Sequence, residues 1–301
     1  MITQGQLNTG YSMSTLHSEL KRLYFLPDQH GYGPCCDLDD GSYGPDLGVL
    51  TPEVLAPSLA GGNRVAINLV SSAGTVRTLA ICFEKGADWE QVAKLYAGTQ
   101  AMALPAPALA VSGISGYQLW FSLVDPIPVV QAQQFFYGLS RQYLADTDLC
   151  RLRCCPDIPG IDNSLSCLID LVPAFQEATQ RWSAFIDPGL GSLFIDEPGL
   201  EMVPNMAGQA DILAGVDSIK AGDFQRALSR LQVADSSDAQ IPERSSGMTG
   251  EGAGAHHMTG HQYRDPESFL MVVMNDPACH LTHRIEAAKA LLPYIKKTPN
   301  P

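Results

Sequence analysis

Several things are missing from these 301 residues, and each absence closes off a class of function. No run of eighteen apolar residues occurs, so no stretch has the length and hydrophobicity of a membrane-spanning helix. The opening segment, MITQGQLNTGYSMSTLHSEL, has no basic region followed by an apolar one, so neither a secretory leader nor a membrane anchor is predicted, and a cytoplasmic location is expected. Positive charge is scarce: 19 Lys and Arg stand against 32 Asp and Glu, a net charge of -13, and the basic residues form no runs. Generic grip on a phosphate backbone draws on clustered cations that release counterions, so an extended, sequence-blind nucleic-acid surface is disfavoured, although a local basic groove is not. Beyond residue 255 five basic residues face four acids, which leaves the acidic excess in the preceding part.

No C-x-x-C pair occurs among the eight cysteines, Cys35, Cys36, Cys82, Cys150, Cys154, Cys155, Cys167 and Cys279. In a cytoplasmic chain they are expected to be reduced, and the spacing of Cys150, Cys154, Cys155 and Cys167 fits zinc-ligand loops poorly.

What is present is enough for a substantial core, with 45% hydrophobic residues. A short helix is predicted around TLHSELKRLYFL, followed by an irregular Gly/Pro/Asp-rich loop, PDQHGYGPCCDLDDGSYGPDLGVLTPE. RVAINLV and VRTLAICFE read as a hairpin or neighbouring strands about SSAGT. DWEQVAKLYAGTQAMAL carries Val92, Leu95 and Tyr96 at helical spacing behind Asp88 as a cap. ALAVSG and GYQLWFSL are strands about a tight SGISG turn; PVVQAQQFFYGLSRQYLA is a helix opened by Pro128; SLSCLIDLV is a strand; GQADILAGVDSIKAGDFQRALSRL is helical. The order β-β-α-β-β-α-β predicts an α+β domain over residues 1–234, its mainly antiparallel sheet covered by helices on one face. A Ser/Gly-rich linker is predicted over 235–262 and a short helical hairpin over 263–301. His256, His257, His261, His280 and His283 fall in that linker and at a helix start, where a solvated tail explains them better than a metal cluster.

The segments LAICFEKGADWEQVAKL, AVSGISGYQLWFSLVDPIPVVQAQQF and WSAFIDPGLGSLFIDEPGLEMVPNMAGQADIL, in that order over roughly residues 20–220, resemble the archaeo-eukaryotic primase superfamily. The likeness is to the primase-like domains of bacterial mobile-element and conflict systems. It implies a primase-like core with an acid-x-acid pair on one strand, a Ser-Gly-x-Gly-x-His element before Leu-Trp on another, and a third acid on a later strand. The acids share divalent metals and the histidine contacts the nucleotide's phosphates. By this resemblance Cys82 takes the first acid's place and Glu84 the second's. Gln118 takes the histidine's place; Ser112, Gly113 and Gly116 keep the nucleotide-binding turn; Asp170 in LIDLV matches the third acid. A thiol is a soft ligand and Gln118 is uncharged, so the implied catalytic centre is degenerate and no cofactor is expected. Were the chain active, Glu84 and Asp170, with Asp187 or Asp196, would hold magnesium or manganese. Each position also has a plainer reading: Cys82 as a small core residue, Glu84 as a solvated strand end, Gln118 as a turn partner, Trp120 and Trp182 as core aromatics.

The tail DPESFLMVVMNDPACHLTHRIEAAKALLPYIKK resembles a helical segment of phage small-terminase-like proteins and reads equally as a hairpin for a partner or self-association. The expected partners are single-stranded nucleic acid or a replication or regulatory protein. A further possibility is that this acidic chain occupies the groove of a basic partner.

Overall fold

Thr75–Phe83 runs through RTLAICF with almost every residue buried, and continuous rather than alternating burial marks a strand covered on both faces. It is β4, the second strand from one edge of a five-stranded antiparallel sheet. In order across that sheet run β11 (Ala184–Ile186), β5 (Ala108–Val111), β6 (Tyr117–Pro128), β4 and β7 (Leu152–Cys155). The structure, a computed structural model, describes residues 4–27, 29–34, 43–145, 147, 152–157, 168–237 and Lys289. The chain divides into two compact units, Met1–Pro242 and Glu243–Pro301. The predicted linker after residue 237, the C-terminal hairpin apart from Lys289 and the five histidines all lie outside the described residues.

The pleat sorts β4 and β6 into two cores. On one face Leu79, Ile81, Phe83, Leu119 and Phe121 pack against helices α3 (Trp89–Ala101), α4 (Val129–Tyr143) and α6 (Ala221–Ser237) through Val92, Leu95, Phe135, Phe136, Leu139 and Phe224. On the other face Ala80, Cys82, Ala110, Trp120 and Phe185 meet α1 (Gln4–Leu23), α2 (Pro52–Leu59), α5 (Met206–Ala214) and a second antiparallel sheet. That sheet has the order β2 (Tyr43–Val49), β1 (His30–Pro34), β3 (Ala66–Asn68) and β8 (Leu168–Asp170). The α+β architecture with antiparallel sheets is as expected, but the large sheet is covered on both faces rather than one.

Other departures have identifiable causes. The stretch expected to be irregular contains β1 and β2, because β1 is paired on one side by β2 and on the other by β3, and that tertiary pairing outweighs the poor strand propensity of Gly and Pro. The SSAGT turn does close, with Ser71 N–H donating to Thr75 O at 2.9 Å and an antiparallel bridge between Val70 and Val76. Its arms then diverge into different sheets. The long helix expected over 208–231 is two: Gly215 caps α5, and Ile219 joins β6, its N–H donating to Ser122 O at 2.8 Å while Val124 N–H donates back at 2.9 Å. Asp88, expected to cap α3, sits in a 3-10 turn (Gly86–Asp88) and its side chain makes no capping bond.

A pair of short strands, β9 (Phe175–Gln176) and β10 (Arg181–Trp182), forms a separate hairpin beside the β5–β6 turn.

Candidate functional site

Where the two sheets approach, at the C-terminal end of β4, a pocket of about 310 Å³ opens. Cys82, Glu84, Ser112, Gln118 and Asp170 all line it, so the sequence-predicted positions come together from β4, the β5–β6 turn, β6 and β8. Gly113 and Gly116 belong to the same turn.

The large sheet's register sets the inner wall. Cys82 is paired across the strands with Gln118 of β6 on one side and Arg153 of β7 on the other, so their side chains leave the same face in a row. Cys82 and Gln118 are only 6% and 7% exposed, which puts these two at the floor of the pocket, whereas Arg153 at the end of the row is exposed. Burial pushes the Cys82 thiol above its ordinary range; the Arg153 guanidinium beside it offsets part of that, while Glu84 and Asp170 add to it. Gln118 Oε1 accepts from Trp120 Nε1 at 3.0 Å, which fixes the amide and leaves its NH2 group as the end not engaged by the indole. Glu84, two residues beyond Cys82, stands exposed at the rim.

Asp170 comes from the other sheet, at the end of β8, where its backbone pairs with Ala66 of β3. Its carboxylate is 2.9 Å from Arg64 Nη1, which also donates to Gln176 Oε1 at 3.4 Å. Arg153 reaches toward the same strand, its Nη1 donating to Leu168 O at 3.2 Å.

The SGISG turn is held from within. Ser112 Oγ accepts from the backbone N–H groups of Ile114, Ser115 and Gly116 at 3.1, 3.0 and 3.0 Å, so the three amides that face a ligand in a phosphate-cradling loop are engaged by the turn's own serine. Both glycines are sterically required. Gly113 has φ +74°, and a Cβ on Gly116 would lie 2.0 Å from Phe83 O.

Sequence reasoning missed Arg64, Gln176 and Ser183; RLRCCP reads from the sequence either as a small basic edge or as a buried strand with exposed arginines, and Arg153 is indeed exposed on the strand β7. Arg64 follows a GGN turn and Gln176 and Ser183 lie on or beside a two-residue strand, and none of these contexts carries a local signal. Trp120 and Trp182 are buried, as expected for core aromatics, and Cys82, Cys154 and Cys155 are buried cysteines that form no disulfide.

As a metal site the donor set fits poorly. The Asp170 carboxylate is paired with Arg64 and the Cys82 thiol lies beside the Arg153 guanidinium, so that among the described residues lining the pocket Glu84 is the carboxylate not shared with Arg64. Among the described residues no three His, Cys, Asp or Glu side chains gather as ligands. Asp187 and Asp196 do not line the pocket, and Asp187 Oδ1 accepts from Gly189 N–H at 2.7 Å to cap a 3-10 turn. No helix among the described residues is long and apolar enough to cross a membrane.

No family model matches the chain, and no curated protein matches it. Among solved structures it is similar to the archaeo-eukaryotic primase domain of the primase-polymerase of cyanophage S-2L, at 13% identity and a TM-score of 0.39, covering 66% of this chain and 97% of that one. It is also similar to the catalytic domain of the primase Repb', solved in complex with initiator DNA, at 16% identity and a TM-score of 0.36, covering 75% of this chain and 97% of that one.

Proposed function

We propose that this chain is a catalytically degenerate, primase-like protein that serves as a nucleic-acid- or protein-binding scaffold in the replication or maintenance of a phage or mobile element. One observation carries the reading. The positions that the sequence resemblance assigns to two acids, a histidine and a third acid converge in a single pocket, with Cys82 and Gln118 where the first acid and the histidine would stand. Phosphoryl transfer by metal-bridging carboxylates asks for several unshared oxygen donors around the ions, and this pocket offers Glu84 with an Asp170 already committed to Arg64. The predicted C-terminal helices would attach a partner or a second copy.

The test is primer synthesis and extension on single-stranded DNA with magnesium or manganese, run beside Cys82→Asp/Gln118→His. The unmodified chain is expected to incorporate no nucleotide above a protein-free control. Incorporation by the unmodified chain sinks the proposal.

A further inference from the structure

Two glutamines in the pocket wall are oriented by their neighbours. Gln118 is 7% exposed and Gln176 3%. A carboxamide can turn over and offer either end, but an indole N–H and a guanidinium only donate, so each must be met by the amide oxygen. Trp120 Nε1 donates to Gln118 Oε1 at 3.0 Å, and Arg64 Nη1 donates to Gln176 Oε1 at 3.4 Å. The two NH2 ends are left over. Among the described residues neither has a hydrogen-bond acceptor, and both glutamines line the pocket rather than being enclosed in the core. A donor this deep is costly without an acceptor, and the acceptor has to come from what fills the pocket.

The charges around these donors are of both signs. Glu84 and Asp170 line the pocket together with Arg153, and Arg64 holds Asp170 at 2.9 Å, so an anion meets two carboxylates and a dication meets two guanidiniums. A neutral group meets neither cost. Phe83, Ile114, Tyr117 and Val172 add apolar lining, and a volume of about 310 Å³ admits one small planar ring system but no length of strand. We propose that this pocket takes a single unpaired nucleobase of the keto class, thymine, uracil or guanine, whose exocyclic carbonyl accepts from the Gln118 NH2 group. This rests on the reading of the chain as a nucleic-acid-binding scaffold, which supplies the ligand class. Adenine and cytosine carry an amino group where the keto bases carry that carbonyl. An unrestrained glutamine serves both by turning over. With its oxygen held by Trp120, Gln118 meets the amino group donor to donor and rejects it.

The experiment is fluorescence anisotropy of the full chain at low salt with short single strands that are abasic throughout or carry one central thymine, guanine, adenine or cytosine. It is run for the unmodified protein, Gln118→Glu and Trp120→Phe, each checked for fold by circular dichroism. Gln118→Glu keeps an oxygen for the indole and replaces the NH2 group by an acceptor; Trp120→Phe lets the amide turn over. The unmodified protein is expected to bind the thymine and guanine strands on the order of tenfold more tightly than the adenine, cytosine and abasic ones. Gln118→Glu should move the preference to adenine and cytosine, and Trp120→Phe should bring the four bases to within about twofold while keeping them above the abasic strand. A preference for adenine or cytosine in the unmodified protein, or a keto preference that survives either substitution, overturns the assignment. Equal binding of base-bearing and abasic strands removes the base site and leaves the parent reading standing. Binding of no strand removes the base site and the nucleic-acid arm of that reading, leaving its protein-binding arm. Nucleotide incorporation in the primer assay sinks the parent reading whatever the base preference.

Discussion

Gly116 presses its Cα against the end of β4 so closely that a methyl group would sit 2.0 Å from Phe83 O and 2.8 Å from Lys85 N. Neither neighbour can rotate away, so Gly116→Ala should cost about 2–3 kcal/mol, read as a lower urea midpoint. Ser112→Ala removes the acceptor shared by three amides and should cost about 1–2 kcal/mol by the same measurement, with loosening confined to the turn in hydrogen exchange. Tyr117 gives a pH test. Burial pushes its phenol from 10.0 up to about 12, and its hydroxyl donates to Gly191 O at 2.8 Å. A phenol held neutral in the fold stabilises fully below the ordinary value and loses that contribution as pH rises from about 10 through about 12. Stability should therefore fall over that window, and Tyr117→Phe should flatten the fall. Buried Tyr24, shifted in the same direction, keeps some of the slope.

At the scale of elements, the C-terminal end of α1 is fastened by Arg77 of β4. Its guanidinium donates to Phe25 O at 3.0 Å and Leu123 O at 3.2 Å, and also to Arg22 O, so one charged fork serves the helix end, the chain after it and β6. Arg22 does the same for α5, donating to Leu213 O at 2.9 Å. Replacing Arg77 by Met keeps the stem but leaves carbonyls unpaired, and should lower stability by about 2–3 kcal/mol in a denaturant titration. Arg77→Lys should recover little of that, because a single ammonium cannot reach several carbonyls at once. The pocket depends on elements in the same way. β4 and β6 bring Cys82 beside Gln118 by antiparallel register although α3 and β5 separate them along the chain, and Arg153 arrives on β7 and Asp170 on β8; only the β5–β6 pairing is joined by a short turn, and the other places in the sheets follow from packing.

For the whole molecule, the shortage of positive charge limits how any strand of nucleic acid is held. With a net charge of -13, and with Arg153 and the Asp170-paired Arg64 as the cations at the pocket, only one or two phosphates should be neutralised there. The logarithm of the affinity for single-stranded DNA should accordingly fall with the logarithm of salt at a slope of about -1, because each neutralised phosphate contributes about -0.7. A slope steeper than about -3 between low and physiological salt would reveal an extended basic groove elsewhere. The sequence by itself determined the α+β class, the apolar strand that ends in Cys82 and Glu84, the glycines of the SGISG turn and the position of Gln118. Each of these is written in spacing over a few residues. Only the tertiary structure decided that Arg153 adjoins Cys82, that Arg64 holds Asp170, that glycine-rich segments become strands and that the helix after Gly215 is broken, since sheet order and register are settled by which buried faces meet, not by the chain's local preferences.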